Sequence, residues 1–282
     1  MKNKQRYVEL PETWDELTEA DWQELLKIRQ KVVEHGGEYS ELDITTETAC
    51  VLLKNRGIRL QLSNPNYIQL VGQLARSLKW LWHADGTTIS LVYKDTRNLI
   101  PKVREWLGPM DHGSDLVFGE FRMALAVMKN YEQNPTVRDL NVLAGLLYRP
   151  EASKLIRREQ QLRRQPYDWD DFMEKERRGQ QMKRWQVWGI YAWFAWFCEY
   201  LTTGTFIIDG EQMTFAPLFS RAEGEGKKEG GGLQQICLTL AESHVFGTAK
   251  EVDQTPLLTV MQKLLLDYNT LQKLKNVKKA KG

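Results

Sequence analysis

Apolar residues return at helical intervals through most of this chain, and the exceptions are short. Thr18-Glu19-Ala20-Asp21 has the form of a capping box with Asp in the usual Glu place. Trp22, Leu25, Leu26, Ile28, Val32 and Val33 follow at three- and four-residue steps before Gly36-Gly37. The spacing predicts a first helix over 19–35. A second is predicted over 44–55, closing before Gly57, and a third begins near Pro65 and carries Ile68, Leu70, Val71, Leu74, Leu78, Leu81 and Trp82. Residues 87–93 are β-branched and partly alternating, which suits a strand after Asp85-Gly86. Successive helices over 118–130 and 137–148 are separated by Asn134-Pro135, and Pro150 stops the second. Asp209-Gly210 stands between two short apolar runs, the local signal of a tight hairpin whose central residues take positive φ. Helices over 233–245 and 256–274 close the chain, the last with Thr255 as its cap and Pro256 at its first position. The expected fold is mainly α, a multi-helix globular protein with a small β element around Asp209-Gly210. The expected organisation is a mostly helical region 1–130, a region 131–220 holding an aromatic core helix and the hairpin, a flexible Gly-rich loop 221–232, and C-terminal helices 233–282 with a basic tail.

One stretch departs from the amphipathic pattern. Residues 185–201 read WQVWGIYAWFAWFCEYL, with aromatic rings at 185, 188, 191, 193, 194, 196, 197 and 200. A helix drawn through them is apolar around most of its circumference and has to be covered on several sides. Lys183 and Arg184 precede it as a membrane flank would. Gln186 and Glu199 interrupt it, Thr202-Thr203 follow it, and a bilayer core needs about 20 apolar residues, so cover by polypeptide is the reading adopted.

The composition describes a globular chain and excludes little else. It has 282 residues, 42% hydrophobic, with 39 basic and 37 acidic side chains for a formal charge of +2, a balance that does not mark a nucleic-acid binder. The positive charge gathers at the ends, Lys2, Lys4 and Arg6 at one and Lys273, Lys275, Lys278, Lys279 and Lys281 at the other, as solvated tails do. Residues 149–184 hold eleven basic against seven acidic side chains. Three readings stand for that stretch: solvated helix faces, a phosphate-binding surface, or a charged docking surface for a protein. Cys50, Cys198 and Cys237 lie far apart in apolar surroundings without a CxxC or CxxH spacing, and read as buried thiols in a reducing compartment. The first residues lack the apolar run of a secretory signal, so export by that route is not expected and a cytoplasmic location is.

The sequence holds no assembled catalytic or metal-binding motif. His35, His83, His112 and His244 have no His or Cys at ligand spacing, and Ser243-His244, being adjacent on a helix, point in different directions. Gly224, Gly226 and Lys227 fail the P-loop spacing. Asp168, Asp170 and Asp171 form the tightest acidic cluster and fit a helix N-terminus, where the dipole favours them. No catalytic residue, metal site or cofactor is therefore expected.

Four stretches, LPETWDELT over 10–18, LAGLLYRP over 143–150, RQPYD over 164–168 and LAESHVFG over 240–247, resemble in that order accessory proteins encoded among the tail genes of bacteriophages and prophages. Those are tail-assembly chaperone-type proteins. The resemblance implies a non-enzymatic protein of a bacterial host's cytoplasm that binds a tail component such as the tape-measure protein. Residues 38–115 and the Gly-rich loop 222–232 have no counterpart in it. Each motif also has a local explanation: Thr13-Trp-Asp-Glu16 is a T-x-x-E cap, and Leu146-Leu-Tyr-Arg-Pro150 is a helix ending before proline. The expected partner-binding residues are Trp185, Trp188, Trp193 and Trp196, lining an apolar groove, with Arg157, Arg158, Arg163 and Arg164 on a charged rim, since aromatics and arginine carry interface energy. Two other classes remain as alternatives: nucleic-acid binding through the basic 149–184 segment, and an enzyme whose site forms only in the fold around Asp168, Asp170 and Asp171.

Overall fold

The computed structural model describes residues 8–35, 39–58, 60, 64–85, 89–168, 170–219 and 232–281. It is mainly helical with small antiparallel sheets. The chain divides into two compact units, one of Met1–Asp95 with Lys183–Trp193 and one of Thr96–Met182 with Phe194–Gly282.

In the first unit, helix α1 (Glu19–Glu34) opens on the expected capping box: Thr18 Oγ1 accepts from the Asp21 backbone, and Asp21 Oδ2 accepts from the Thr18 N–H. Asp21 is fully buried, and its carboxylate also accepts from Asn55 Nδ2 at 2.9 Å and Arg56 Nη1 at 3.1 Å. Helix α2 (Glu41–Asn55) starts one turn before the expected 44, because Ser40 and Asp43 form a second capping box ahead of the first apolar position. Helix α3 (Pro65–Ser77) follows, with Asn64 as its cap. It ends sooner than the apolar spacing predicts. Leu78 and Leu81 are buried, but Leu78 precedes and Leu81 ends a 3₁₀ turn, Lys79–Leu81, after which Trp82 enters a strand. A step of three fits either helix type, so periodicity alone did not separate them. Strands β1 (Trp82–Ala84) and β2 (Ile89–Leu91) pair antiparallel, Trp82 opposite Leu91, and Trp82 Nε1 donates to Thr48 Oγ1 of α2. The Thr13 side chain makes no cap; Glu16 Oε2 instead accepts from the Glu12 N–H, at a 3₁₀ turn over Trp14–Glu16. This turn brings Trp14 against Trp22, Trp80 and Tyr93 at centroid distances of 5.1–6.2 Å, and Trp22 lies 4.5 Å from Tyr93.

In the second unit, β3 (Lys102–Val103) and β4 (Trp106–Leu107) precede helices α4 (Phe118–Gln133) and α5 (Val137–Leu147). Strand β5 (Arg149–Pro150) returns to β4, giving the order β3-β4-β5. Helix α6 (Lys154–Gln160) and helix α7 (Phe172–Gln180) carry half of the charged side chains of the 149–184 segment. Its solvated-face reading holds for Arg157, Arg158 and Arg177 and fails for Arg149, Arg164 and Lys175, which are buried. Helices α5 and α7 meet backbone to backbone. A Cβ on Gly145 would lie 1.9 Å from the Lys175 carbonyl oxygen, and one on Gly179 would lie 2.0 Å from that of Asn141. Arg178 Nη1 crosses the same contact to donate to the Gly145 and Tyr148 carbonyls, groups that the end of α5 leaves unpaired.

The aromatic run forms helix α8 (Arg184–Thr203). No helix among the described residues is long and apolar enough to cross a membrane. Of its second half, Phe194, Phe197 and Leu201 are buried, and both Phe rings stack near Phe121 of α4 at 5.9 and 6.2 Å. The expected hairpin follows: β6 (Thr205–Ile208) and β7 (Glu211–Thr214) pair in register across Asp209 and Gly210, with φ of 54° and 83°. A short helix, α9 (Ala216–Phe219), ends this stretch. Residues 221–231 of the Gly-rich segment expected to be mobile lie outside the described residues, while Gly232 begins helix α10 (Gly232–Glu242).

A six-residue helix, α11 (Ala249–Gln254), was not anticipated. Its sequence is mostly polar, and a capping box between Thr248 and Glu251 nucleates it. Thr255, expected to cap the last helix, donates its hydroxyl back to the Glu251 carbonyl instead. Helix α12 (Leu257–Lys281) then buries Leu257, Val260 and Met261 and continues past the expected end at 274 through the lysine-rich stretch, basic residues being favoured near a helix C-terminus.

Candidate functional site

Among the described residues, a buried ion network in the second unit is the most heavily hydrogen-bonded charged cluster. Glu120 lies in the first turn of α4 with no exposed side-chain surface. Arg149 reaches it from β5, Nη2 to Oε2 at 2.9 Å. Arg164 arrives from the other side because residues 163–165 run antiparallel to 150–152. Ala152 N–H donates to the Arg163 carbonyl, Gln165 N–H donates to the Pro150 carbonyl, and Glu151 and Arg164 form the bridge between them. All five Arg164 donors are engaged: two with Glu120 at 2.9 and 3.1 Å, one with Asp115 Oδ2 at 3.0 Å, and two with the Leu147 and Asp115 carbonyls. Arg163 Nη2 also donates to Asp115 Oδ2 at 3.2 Å and to the Gly108 carbonyl. Three guanidinium groups thus share two carboxylates.

This cluster forms the wall of a cleft of about 1260 Å³. Leu116, Met123, Leu162 and Pro166 give it apolar surface, and the ion pair Arg122–Asp253, at 2.8 Å, borders it. Arg149, Arg163 and Tyr167, which line it, hold enclosed donors with no hydrogen-bond partner among the described residues: the two Nε–H groups and the phenol hydroxyl. Burial lowers the Arg149 pKa to about 10 against the pull of Glu120, so the group keeps its charge at neutral pH. Burial pushes the Tyr167 phenol well above its ordinary range, with Glu120 and Asp253 adding to it, so its hydroxyl stays protonated and available as a donor. The wall thus combines a locally positive arginine cluster with enclosed N–H and O–H donors, while Asp168, Asp170 and Asp253 place carboxylates around it. A smaller cleft of about 590 Å³ shares Met110, Ser114 and Arg163 with the first and is lined by Tyr200, Phe206 and His112. His112 there adopts a left-handed backbone, φ 58°, and its Nδ1 lies 2.6 Å from Thr96 Oγ1.

The expected partner-binding residues separate. Arg163 and Arg164 belong to the large cleft, with Arg164 only 2% exposed and fully engaged inside. Arg157 pairs with Glu151 at 2.6 Å on the surface, and Arg158 is exposed. Trp185 and Trp193 are buried, whereas Trp188 and Trp196 are half-buried. Lys27 Nζ sits 5.6 Å from the Trp185 ring and Arg29 Cζ 3.6 Å from that of Trp188. None of the four tryptophans lines either cleft.

Asp171 caps α7, accepting from the Glu174 N–H, and Asp168 accepts from the Asp170 N–H, as a helix N-terminus would have them. Among the described residues no group of three His, Cys, Asp or Glu side chains is placed to hold a metal ion. The Ser243 hydroxyl donates to the Leu240 carbonyl, away from any role with His244. Cys237 is buried, and Cys50 and Cys198 are partly so.

Glu120, Asp115, Arg149 and Tyr167 were not singled out from the sequence. A signal existed for two of them: Glu120 is an acid inside the apolar run 116–121, and Arg149 follows the apolar run LAGLLY. A charge so placed needs a buried partner. No family model, curated protein or solved structure matches the chain.

Proposed function

We propose that this protein acts by stoichiometric contact with a protein partner, which it binds through the large cleft of the second unit. One observation carries the reading: an open cleft with the partly exposed Arg163 guanidinium beside apolar surface and, enclosed behind it, hydrogen-bond donors with no partner among the described residues. Arginine next to apolar side chains is the composition of interface hot spots. At about 1260 Å³ the cleft also exceeds the roughly 300–1,000 Å³ of small-molecule sites, which suits a segment of polypeptide. The resemblance to tail-assembly chaperone-type proteins of phages and prophages supplies the setting, with a tail component such as the tape-measure protein as the partner and the cytoplasm of a bacterial host as the place. Two of the four stretches carrying that resemblance, 143–150 and 164–168, meet at this cleft through Arg149, Arg164 and Tyr167.

The test is co-expression of the tagged full-length chain with the products of neighbouring tail genes, followed by affinity purification and size-exclusion chromatography. A defined complex with one of them is expected. Consistent absence of any complex across those pairs would remove the reading.

A further inference from the structure

Resting on the reading of this protein as a partner-binding one, we infer that the large cleft recognises a carboxylate: an acidic side chain on a partner segment whose neighbouring residues are apolar. The first argument is charge. Within the hydrogen-bonded cluster, Arg149, Arg163 and Arg164 pair with Glu120 and Asp115, so the cluster itself carries one excess positive charge, although Asp168 and Asp170 on the rim balance it and Lys250 over the lining as a whole. Arg164 is 2% exposed with every donor engaged, and Arg149 is 10% exposed, so the excess is presented through Arg163, which is 34% exposed.

The second argument is hydrogen bonding. Tyr167 and Arg149 are nine-tenths or more buried, line the cleft, and hold a hydroxyl and an Nε–H without a partner among the described residues. Burying such donors is costly until an acceptor reaches them. A carboxylate brings two oxygens with about four acceptor positions and a negative charge. Both donors are closed off from solvent, so the incoming group engages Arg163 first and these second.

The third argument selects among anions. Asp168 and Asp170 stand exposed on the rim and Leu116, Met123 and Leu162 supply apolar wall, so a phosphate-rich polymer meets more repulsion than a single acid flanked by apolar residues.

The experiment measures binding of a fluorescein-labelled peptide carrying a single Glu flanked by Leu within a Gly-Ser sequence, beside the same peptide with Gln for Glu, to the full-length protein by anisotropy. The Glu peptide is expected to bind saturably and the Gln peptide at least tenfold more weakly. Arg163→Gln should weaken the Glu peptide by about tenfold or more, and Tyr167→Phe by about three- to tenfold. Because the Tyr167 hydroxyl has no partner among the described residues, its removal should leave the thermal midpoint unchanged or raised, which separates lost recognition from lost folding. Arg138→Gln, at an exposed arginine outside the cleft, and replacement of Lys273, Lys275, Lys278, Lys279 and Lys281 by Gln should leave binding intact. Equal binding of the two peptides, insensitivity to Arg163→Gln and Tyr167→Phe, or tighter binding of oligo-dT lost through the same two changes would each overturn the inference. If a tail-gene product co-purifies and these variants do not affect it, the carboxylate assignment fails and the partner-binding reading stands. If the Glu peptide binds at the cleft and no tail-gene product co-purifies, the reverse holds.

Discussion

Glu120 has no exposed side-chain surface and accepts from two guanidinium groups, so the residues around it are arranged to compensate its lost hydration. Removing one member of such a group leaves the others charged and unpaired in a medium that solvates them poorly, at a typical cost of about 3–5 kcal/mol. Glu120→Gln keeps the shape and removes the charge, and is expected to lower the unfolding free energy in urea by about that amount. A loss below about 1 kcal/mol, the range of exposed pairs, would mean the network is not held as described. Asp21 makes the complementary case in the first unit. Burial pushes its carboxyl up, but hydrogen bonds from Asn55, Thr18 and Arg56 outweigh that and hold it below its ordinary value of 3.8. Because its folded pKa lies below the unfolded one, the stability it contributes is fully present above the unfolded value and is lost as pH falls through the folded one. Unfolding free energy followed from pH 6 downward should therefore fall less steeply below pH 4 in Asp21→Asn than in the parent. Parallel curves would show that Asp21 is not held as a carboxylate.

Helices α5 and α7 owe their closeness to Gly145 and Gly179, each of which leaves no room for a Cβ against the carbonyl of the opposite helix. Ala is the better helix former by about 1 kcal/mol, so propensity alone would favour substitution at either position. Packing decides the sign. A Cβ at 1.9 Å from a backbone oxygen cannot be relieved by a rotamer change, so Gly145→Ala must push the two helices apart. Overpacking of this kind costs about 1–3 kcal/mol or more. The expected result is a lower thermal midpoint, where an unchanged or raised one would show that the helices do not pack this closely. The elements themselves were legible wherever their signals were local. The Thr18–Asp21 box, Pro65 at the start of α3 and the Asp209-Gly210 turn each depend on a few neighbouring residues, and each took the expected form. The region 78–82 was misread because buried positions continued at a helix-like step after the helix had ended. The cleft was legible only as a surplus of arginine. Glu120 finds Arg149 and Arg164 at separations of 29 and 44 residues, and which arginines turn inward depends on strand pairing that no local pattern specifies.

At the scale of the molecule, the first unit is discontinuous: residues 183–193 belong to it although 87 residues of the second unit, Thr96–Met182, intervene in sequence. That short return segment is dense in buried surface. Trp185, Val187, Ile190 and Trp193 are all at most 9% exposed. At roughly 1.5–3 kcal/mol for each buried side chain, the four contribute roughly 6–12 kcal/mol, against roughly 5–15 kcal/mol for the stability of a whole domain. A fragment of residues 1–95 keeps α1, α2, α3 and the β1–β2 hairpin with their caps and lacks this cover. It is expected to lose cooperative folding, giving reduced helicity by circular dichroism and no sigmoidal transition in urea. A peptide spanning 183–203 added in trans should restore helicity saturably, because it returns the missing apolar face. The capping boxes cannot substitute for it, since a cap contributes about 1 kcal/mol and acts only on its own helix. If residues 1–95 alone unfold with a sharp transition near that of the intact chain, the aromatic helix is dispensable to this unit. The dense run of rings would then have to be explained by something other than completing the first core.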